Sequence, residues 1–511
     1  MTGPVTGTAT GTGTVGAAAR KPVARNIGRV GLSLAIAFGV LAAGAGYWQV
    51  IRSADLSSAP DDPAVIAAVR NAPRGRILDR NGTVLASNKK DKNGEPYRVY
   101  KDTAMTPVLG YSSLIYGTAG LERTYNAELS GLKRADPVAD AFSKFQSTKY
   151  DPQDMKLTIS LPLQKAALKA LGSDRGAVVM IDPRTGAVLA LASNPTFDAS
   201  ALANPTTAAR TWATLNADRS QPFVPRATLG TYVPGSIMKI VTAIAGLSSG
   251  AITADTTFAQ QPGAEKNGLL VSGFRVTDAH NTYTGSKLLD LVGATEVSDN
   301  IWFALAGLQT GGAAFDAAAR RLGFEAPIPF DLPTAVSQLT NGGGRLPGGF
   351  LDDVELANAA YGQAETLVTP LQMALVAATV ANDGVLMKPH LVESFTGDSG
   401  THVIAPEQIG TVCSTGDAAA VTRAMEKAVE GSIGRIFTSG AAIPGVDTAG
   451  KTGTAQLGGA GEPHSWFVGF APVASPKIAI AVVVENGGHG SARAAPIAGQ
   501  LMKLYLDTEG K

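Results

Sequence analysis

Gly176-Ala-Val-Val-Met-Ile-Asp-Pro-Arg-Thr-Gly-Ala-Val-Leu-Ala-Leu-Ala192 is the stretch that decides the fold of this chain. Two apolar runs flank Asp182-Pro-Arg-Thr-Gly186, whose proline fixes one backbone dihedral and whose glycine supplies a positive φ, so the stretch reads as a β-hairpin. Three more strand candidates, 445–456, 465–470 and 478–485, lie near the far end, before a closing helical pattern at 493–505. Between them, from about 237 to 430, run long Ala-rich helical patterns. The expectation is an α+β domain: a five-stranded antiparallel sheet whose first two and last three strands are separated by a helical subdomain. Residues 161–171 carry apolar side chains at 163, 167, 168 and 171, the spacing of a helix face, and the main domain boundary falls near 157.

Working outward, Pro60 to Lys156, within a module of 52–156, is richer in charged and turn residues, with short strand-like pieces at Arg76–Asp79 and Val84–Ala86 split by Asn81-Gly82, and a connecting strand from Asp154. It reads as a small β-rich N-terminal module, with 157–511 as the main domain. From Val30 to Ile51 there are 22 residues without a charge, enough for a helix of about 30 Å that crosses a membrane. Arg20, Lys21, Arg25 and Arg29 precede it and Asp55, Asp61 and Asp62 follow, so the positive-inside bias keeps residues 1–29, a Gly/Thr/Ala-rich disordered tail, in the cytoplasm and the rest outside. A cleaved signal peptide ending near Ala43-Gly44-Ala45 is the rival reading; Tyr47 and Trp48, placed for an outer aromatic belt, favour the uncleaved anchor. Gly11, Gly13 and Gly16 match a dinucleotide fingerprint in letters only, because no strand can precede them.

Composition removes other classes. Lys plus Arg total 43 against 42 Asp plus Glu, a net +1 that gives no field for gripping nucleic acid. A single cysteine, Cys413, rules out an internal disulfide, and five histidines without HExxH spacing disfavour a metal; no cofactor is expected.

The chemistry is carried by three motifs in order. Ser236-Ile-Met-Lys239 follows Pro234-Gly235 and opens the apolar run Ile240, Val241, Ile244, Leu247, so the serine belongs at the first turn of a buried helix. The i, i+3 spacing puts Ser236 Oγ and Lys239 Nζ on one face, and the helix N-terminus offers N–H groups to a forming oxyanion, which suits a nucleophile and its base. S-x-x-K also occurs at Ser87–Lys90 and Ser130–Lys133, but Ser298-Asp299-Asn300 is the only S-x-N and Lys451-Thr452-Gly453 the only K-[ST]-G. In this order the three motifs are those of serine acyl-transfer enzymes of the penicillin-binding and β-lactamase group.

The chain resembles the class B penicillin-binding proteins, most closely the short actinobacterial kind, from about Arg74 to the end. Beyond the three motifs the likeness rests on Arg74-Gly-Arg-Ile-Leu-Asp-Arg-Asn-Gly82, Tyr111–Gly117 with Gly120-Leu-Glu122, Thr369–Ala374 and Trp466–Pro472, segments of packing and interface rather than catalysis. The resemblance implies a membrane-anchored, exterior DD-transpeptidase that cross-links peptidoglycan stem peptides for division or growth, is acylated by β-lactams, and meets cell-wall polymerase or divisome proteins. Ser236 would carry the acyl group and Lys239 act as base, with burial and the second cation Lys451 lowering its pKa. Ser298 would relay a proton, and Asn300 bond the substrate backbone and Lys239. Backbone N–H groups of Ser236 and Thr454 would form the oxyanion hole, and Thr452, Gly453 and Thr454 would bind the substrate, the two threonine hydroxyls holding its terminal carboxylate.

Glu355-Leu-Ala-Asn358 faintly resembles a deacylating glutamate but is expected on a surface helix. His464 is expected at a strand end or cleft rim, and Gly343-Gly-Arg345 and Gly487-Gly-His-Gly490 as loops. The same residues would serve a DD-carboxypeptidase or weak β-lactamase, with water as acceptor, or a non-catalytic β-lactam sensor or scaffold. The long module and the 153 positions from Ser298 to Lys451 favour the transpeptidase, and the intact motifs argue against a dead enzyme.

Overall fold

Gly176–Ile181 and Ile478–Val484 carry no polar side chain and need cover on both faces, and the central sheet has it. Its order is Ala449–Ala455, His464–Ala471, Ile478–Val484, Gly176–Ile181 and Val188–Asn194, antiparallel throughout, as expected. The registers run through pairs such as Lys451 with Val468, Val482 with Val178, and Met180 with Ala190. Alternation divides the core. Val178, Met180, Ile480 and Val482 pack with Leu163, Leu171, Leu501 and Met502 of helices Leu161–Leu171 and Ala494–Thr508. Ala177, Val179, Ile181, Ala481 and Val483 face the other way, into the larger core that holds helices Pro370–Ala381 and Thr415–Glu430.

The computed structural model describes residues 20–47, 74–90, 94, 96–131, 151–278, 287–342, 344, 346–363, 365–456 and 461–510. The tail glycines, the cleavage-site rival's downstream flank, Trp48 and both Gly343 and Arg345 lie outside the described residues. Within them the chain forms two units. One contains the N-terminal helix Arg20–Gly46, of which Ile27–Gly46 is long and apolar enough to cross a membrane and has exposed side chains. The other spans 71–132 and 150–511.

In that second unit a six-stranded sheet runs Gly400–Val403, Val392–Gly397, Asp154–Leu157, Ile77–Leu78, Val84–Lys90, Pro96–Tyr100. Asp79 Oδ1 accepts N–H groups of Asn81 and Thr83 at 3.0 and 2.7 Å, closing the Asn81-Gly82 turn. Residues 392–403 depart from the helical runs expected from about 237 to 430: after helix Pro370–Ala381 the chain turns to strands, because Val392 and Phe395 bury against Met155 and Leu157. A second departure is the hairpin Leu269–Val271/Phe274–Val276. The buried framework segments meet in one knot: Arg74 and Arg98 both donate to Glu122, at 2.8 and 2.6 Å, and Tyr100 Oη donates to it at 3.2 Å. Helices that carry the site start on aspartate caps, Asp290, Asp299 and Asp352, each accepting a backbone N–H three residues on.

Candidate active site

Ser236 lies in a short 3-10 turn, Gly235–Met238, and the α-helix proper, Lys239–Ser248, begins at the lysine. The turn is tighter than the α-helical start read from sequence, and tighter suits the pair: side chains at i and i+3 eclipse in a 3-10 turn. Lys239 Nζ lies 3.0 Å from Ser236 Oγ. Two close approaches seat the turn on the sheet. A Cβ on Gly235, at φ +58°, would stand 2.8 Å from Thr454 O, and one on Gly453 would stand 2.7 Å from Pro234 O. Only glycines let the serine turn lie this near strand Ala449–Ala455. Trp466 Nε1 donates to Val233 O at 3.1 Å and fixes the approach to the turn.

The second motif closes on the same nitrogen. Lys239 Nζ is 2.6 Å from Ser298 O, 3.2 Å from Ser298 Oγ and 2.8 Å from Asn300 Oδ1, while Lys451 Nζ donates to Ser298 Oγ at 2.8 Å. Ser298 O and Asn300 Oδ1 can only accept. A neutral amine spends its two N–H groups on them and keeps a lone pair for a hydroxyl proton; that state fits a base beside Ser236. Burial lowers Lys239 to about 8 against the pull of Asp278, Asp299 and Glu265, which favour its charged form. The repulsion expected from Lys451 falls the other way: burial first, then Lys239, push Lys451 well below its ordinary value. Lys239 also stands 5.6 Å from the Phe303 ring centroid.

These groups open onto a cleft of about 540 Å³, lined by Ser236, Ser298, Asn300, Thr452 and Thr454 among others. Gly453, Lys239 and Lys451 are buried and do not line it themselves. Its walls include residues that sequence reasoning missed. One wall is Phe274–Asp278, and another is Asn358, Tyr361 and Gln363 with Phe437. The Glu355-Leu-Ala-Asn358 reading needs correction here: helix Asp353–Ala360 is buried from Leu356 onward, and its Asn358, not Glu355, lines the cleft. Tyr361 Oη donates to Asn358 Oδ1, and burial pushes its phenol up to about 12. The signal was available in the i, i+3 pair Asn358/Tyr361, but nothing local says which face is covered. His489 and Gly490 of the glycine loop also line the cleft, whereas His464 opens strand His464–Ala471 and accepts Asn486 N–H at 3.1 Å.

Glu265, Asp278 and Asp299 form a buried carboxylate group behind the motif, with oxygens all within 4.8 Å. Burial first raises both Glu265 and Asp299 from their ordinary values, helped at Glu265 by Asp299 and at Asp299 by the charge of Asp278.

Residues 176–503 match the penicillin binding protein transpeptidase domain and 74–150 the penicillin binding protein A dimerisation domain. The chain is 34% identical over 493 residues to the peptidoglycan D,D-transpeptidase PbpA of Mycolicibacterium smegmatis, covering 92% of this chain and 96% of the relative. It is 32% identical over 485 residues to the protein of that name from Mycobacterium tuberculosis, covering 90% and 94%. Among solved structures, the ceftriaxone acyl-enzyme complex of penicillin-binding protein A from M. tuberculosis superposes with TM-score 0.75 at 30% identity, covering 86% of this chain and 99% of that one. The penicillin G acyl-enzyme complex of the same protein gives 0.74 at 31%, covering 85% and 100%.

Proposed function

The chain belongs to the penicillin-binding protein transpeptidases, and we propose that it does its chemistry through Ser236, with Lys239 as base. It is a serine-type peptidoglycan D,D-transpeptidase of cell-wall synthesis, acylated by β-lactams. The observation that carries the residue assignment is the convergence of Ser236 Oγ, Ser298 O and Asn300 Oδ1 on one lysine nitrogen, at 3.0, 2.6 and 2.8 Å.

Ser236 Oγ attacks the carbonyl carbon of the penultimate D-Ala as its proton passes to Lys239 Nζ. Backbone N–H groups of Ser236 and Thr454, brought together by the Gly235 approach, receive the oxyanion. Collapse breaks the peptide C–N bond; the departing D-Ala nitrogen takes a proton through Ser298, which touches both lysines. An amine of a neighbouring stem peptide then attacks the ester, its proton returns through Ser298 and Lys239, and Ser236 is restored as the cross-link forms. Thr452 and Thr454 hydroxyls hold the terminal carboxylate beside Lys451, whose charged form that anion would favour.

In this reading 1–29 is a cytoplasmic tail, 30–51 the anchor, 52–156 the N-terminal module and 157–511 the transpeptidase domain, facing outward. The basic residues ahead of the apolar helix support that orientation. Polymerase or divisome proteins would meet the module. Digestion of the catalytic domain by protease added to intact spheroplasts checks the orientation; full protection overturns it.

Intact-mass spectrometry of the full chain in detergent, incubated with penicillin G, tests the assignment. A stoichiometric adduct that persists for many minutes and is absent from Ser236→Ala is expected. Loss of penicillin without an adduct would instead indicate a β-lactamase, and neither adduct nor loss a binding scaffold.

A further inference from the structure

The Ser298-Asp299-Asn300 turn holds a conformation that its own residues disfavour. Ser298, a non-glycine residue, sits at φ +60°, and this left-handed backbone is what points both its O and its Oγ at the lysines. Something outside the turn must hold it. Asn300 N–H donates to Asp278 Oδ1 at 3.2 Å, and Asp299, fully buried, spends Oδ1 on Trp302 N–H at 2.6 Å. Its Oδ2 takes no N–H, and the Asp299 and Glu265 carboxyls approach with oxygens within 4.8 Å, a carboxyl–carboxyl contact. Glu265 comes from helix Gln261–Asn267 and is itself buried. Its Oε1 accepts from Gln261 Nε2 at 3.3 Å, and Gln261 is pinned in turn by Leu289 N–H at 2.9 Å. Two carboxylates can share a hydrogen bond only if one carries a proton.

We infer that Glu265 is a positioning residue for the reaction: a protonated carboxyl that donates its O–H to Asp299 and clamps the strained Ser298 turn against helix Gln261–Asn267. The inference rests on the reading of Ser236 and Lys239 given above. It has a second consequence, because the charged groups around Glu265 are Asp299, Asp278 and Lys239, with Arg275 on the adjacent strand tied to Asn267 O. Loss of the proton would add a third negative charge beside Lys239, hold the lysine in its charged form and repel Asp299 out of the turn. Lys239 is then most readily deprotonated, and so available as base, while Glu265 stays neutral. Burial, with the bond to Asp299, favours that neutral state.

The test is the second-order rate of acylation by penicillin G of the full chain in detergent, from about pH 6 to about pH 10. In Glu265→Gln an amide N–H replaces the O–H and cannot be ionised. Its rate should stay within about threefold of wild type near neutrality, and the alkaline fall of the wild-type profile should be gone. Glu265→Ala should lose about tenfold to a hundredfold at every pH while the adduct still forms on Ser236. Glu265→Gln as slow as Glu265→Ala near neutrality, or keeping the wild-type alkaline fall, overturns the inference, as does Glu265→Ala at the wild-type rate. Should Glu265→Ala not fold, the Glu265→Gln profile decides alone. A wild-type chain that takes no adduct refutes the Ser236 reading instead.

Discussion

Lys239 has more neighbours than protons. Charged, it has three N–H groups for Ser298 O, Asn300 Oδ1 and two hydroxyls, and no lone pair for the proton of Ser236. Neutral, it is a base. Burial brings the change of state to about 8, so the active fraction grows as pH rises through that value. The acylation rate with penicillin G should therefore climb about tenfold per pH unit below the midpoint and level off above it, until ionisation of Glu265 turns it down at more alkaline pH. Lys239→Arg should flatten the profile and lower the rate by about a hundredfold or more, because a guanidinium does not give up its proton. Stopped-flow acylation across pH checks both; a profile in Lys239→Arg that still turns near 8 would move the base elsewhere. Asp278 and Asp299 oppose the depression, so the working value reflects burial set against charge.

A motif supplies residues, and a turn delivers them. Gly362, at φ +86°, shows how closely the elements meet: its carbonyl accepts Gly235 N–H at 2.8 Å, and a Cβ there would stand 1.9 Å from Gly235 O. Gly362→Ala should displace the serine turn, slow acylation by about tenfold to a hundredfold and lower the melting temperature. Acylation kinetics beside a thermal melt will show it; a wild-type rate would mean the turn is held without this contact. Nothing in the residues around 362 announces that contact, and the same reason separates what was legible in the sequence from what was not. Gly176–Ile181 and Val188–Asn194 could be read because each is a continuous apolar run and the turn between them is local. The S-x-x-K pair could be read because three residues of helix place both side chains. Val392–Gly397 could not, since its partner is Asp154–Leu157, far back in the chain, and its alternation shows no advantage until the two meet. The Asn358–Tyr361 wall was hidden likewise, as was Glu265, which matters only once helix Gln261–Asn267 lies behind Asp299.

The module and the catalytic body share one sheet, and this bears on how the molecule fails. Asp154–Leu157 pairs in parallel with Ile77–Leu78 on one side and antiparallel with Val392–Gly397 on the other. Side chains add ties across the sequence boundary: Thr106 Oγ1 donates to Phe197 O at 2.8 Å, Ser113 Oγ to Leu202 O at 2.7 Å, and Gln164 Nε2 to Ala104 O at 2.9 Å. At the module's centre, Glu122 is fully buried between Arg74 and Arg98. Removing its carboxylate would leave two guanidinium groups buried without their anion, a loss of about 3–5 kcal/mol. If the shared sheet couples the two parts, Glu122→Ala should lower the unfolding midpoint of both together. Hydrogen exchange read by mass spectrometry along a urea series would show peptides from 74–131 and from 161–194 losing protection at the same concentration, in wild type and variant alike. If the 74–131 peptides open first and the catalytic peptides keep the wild-type midpoint, the module is a separate folding unit. Single-step unfolding would make the module's integrity a condition of β-lactam acylation at a serine it does not touch.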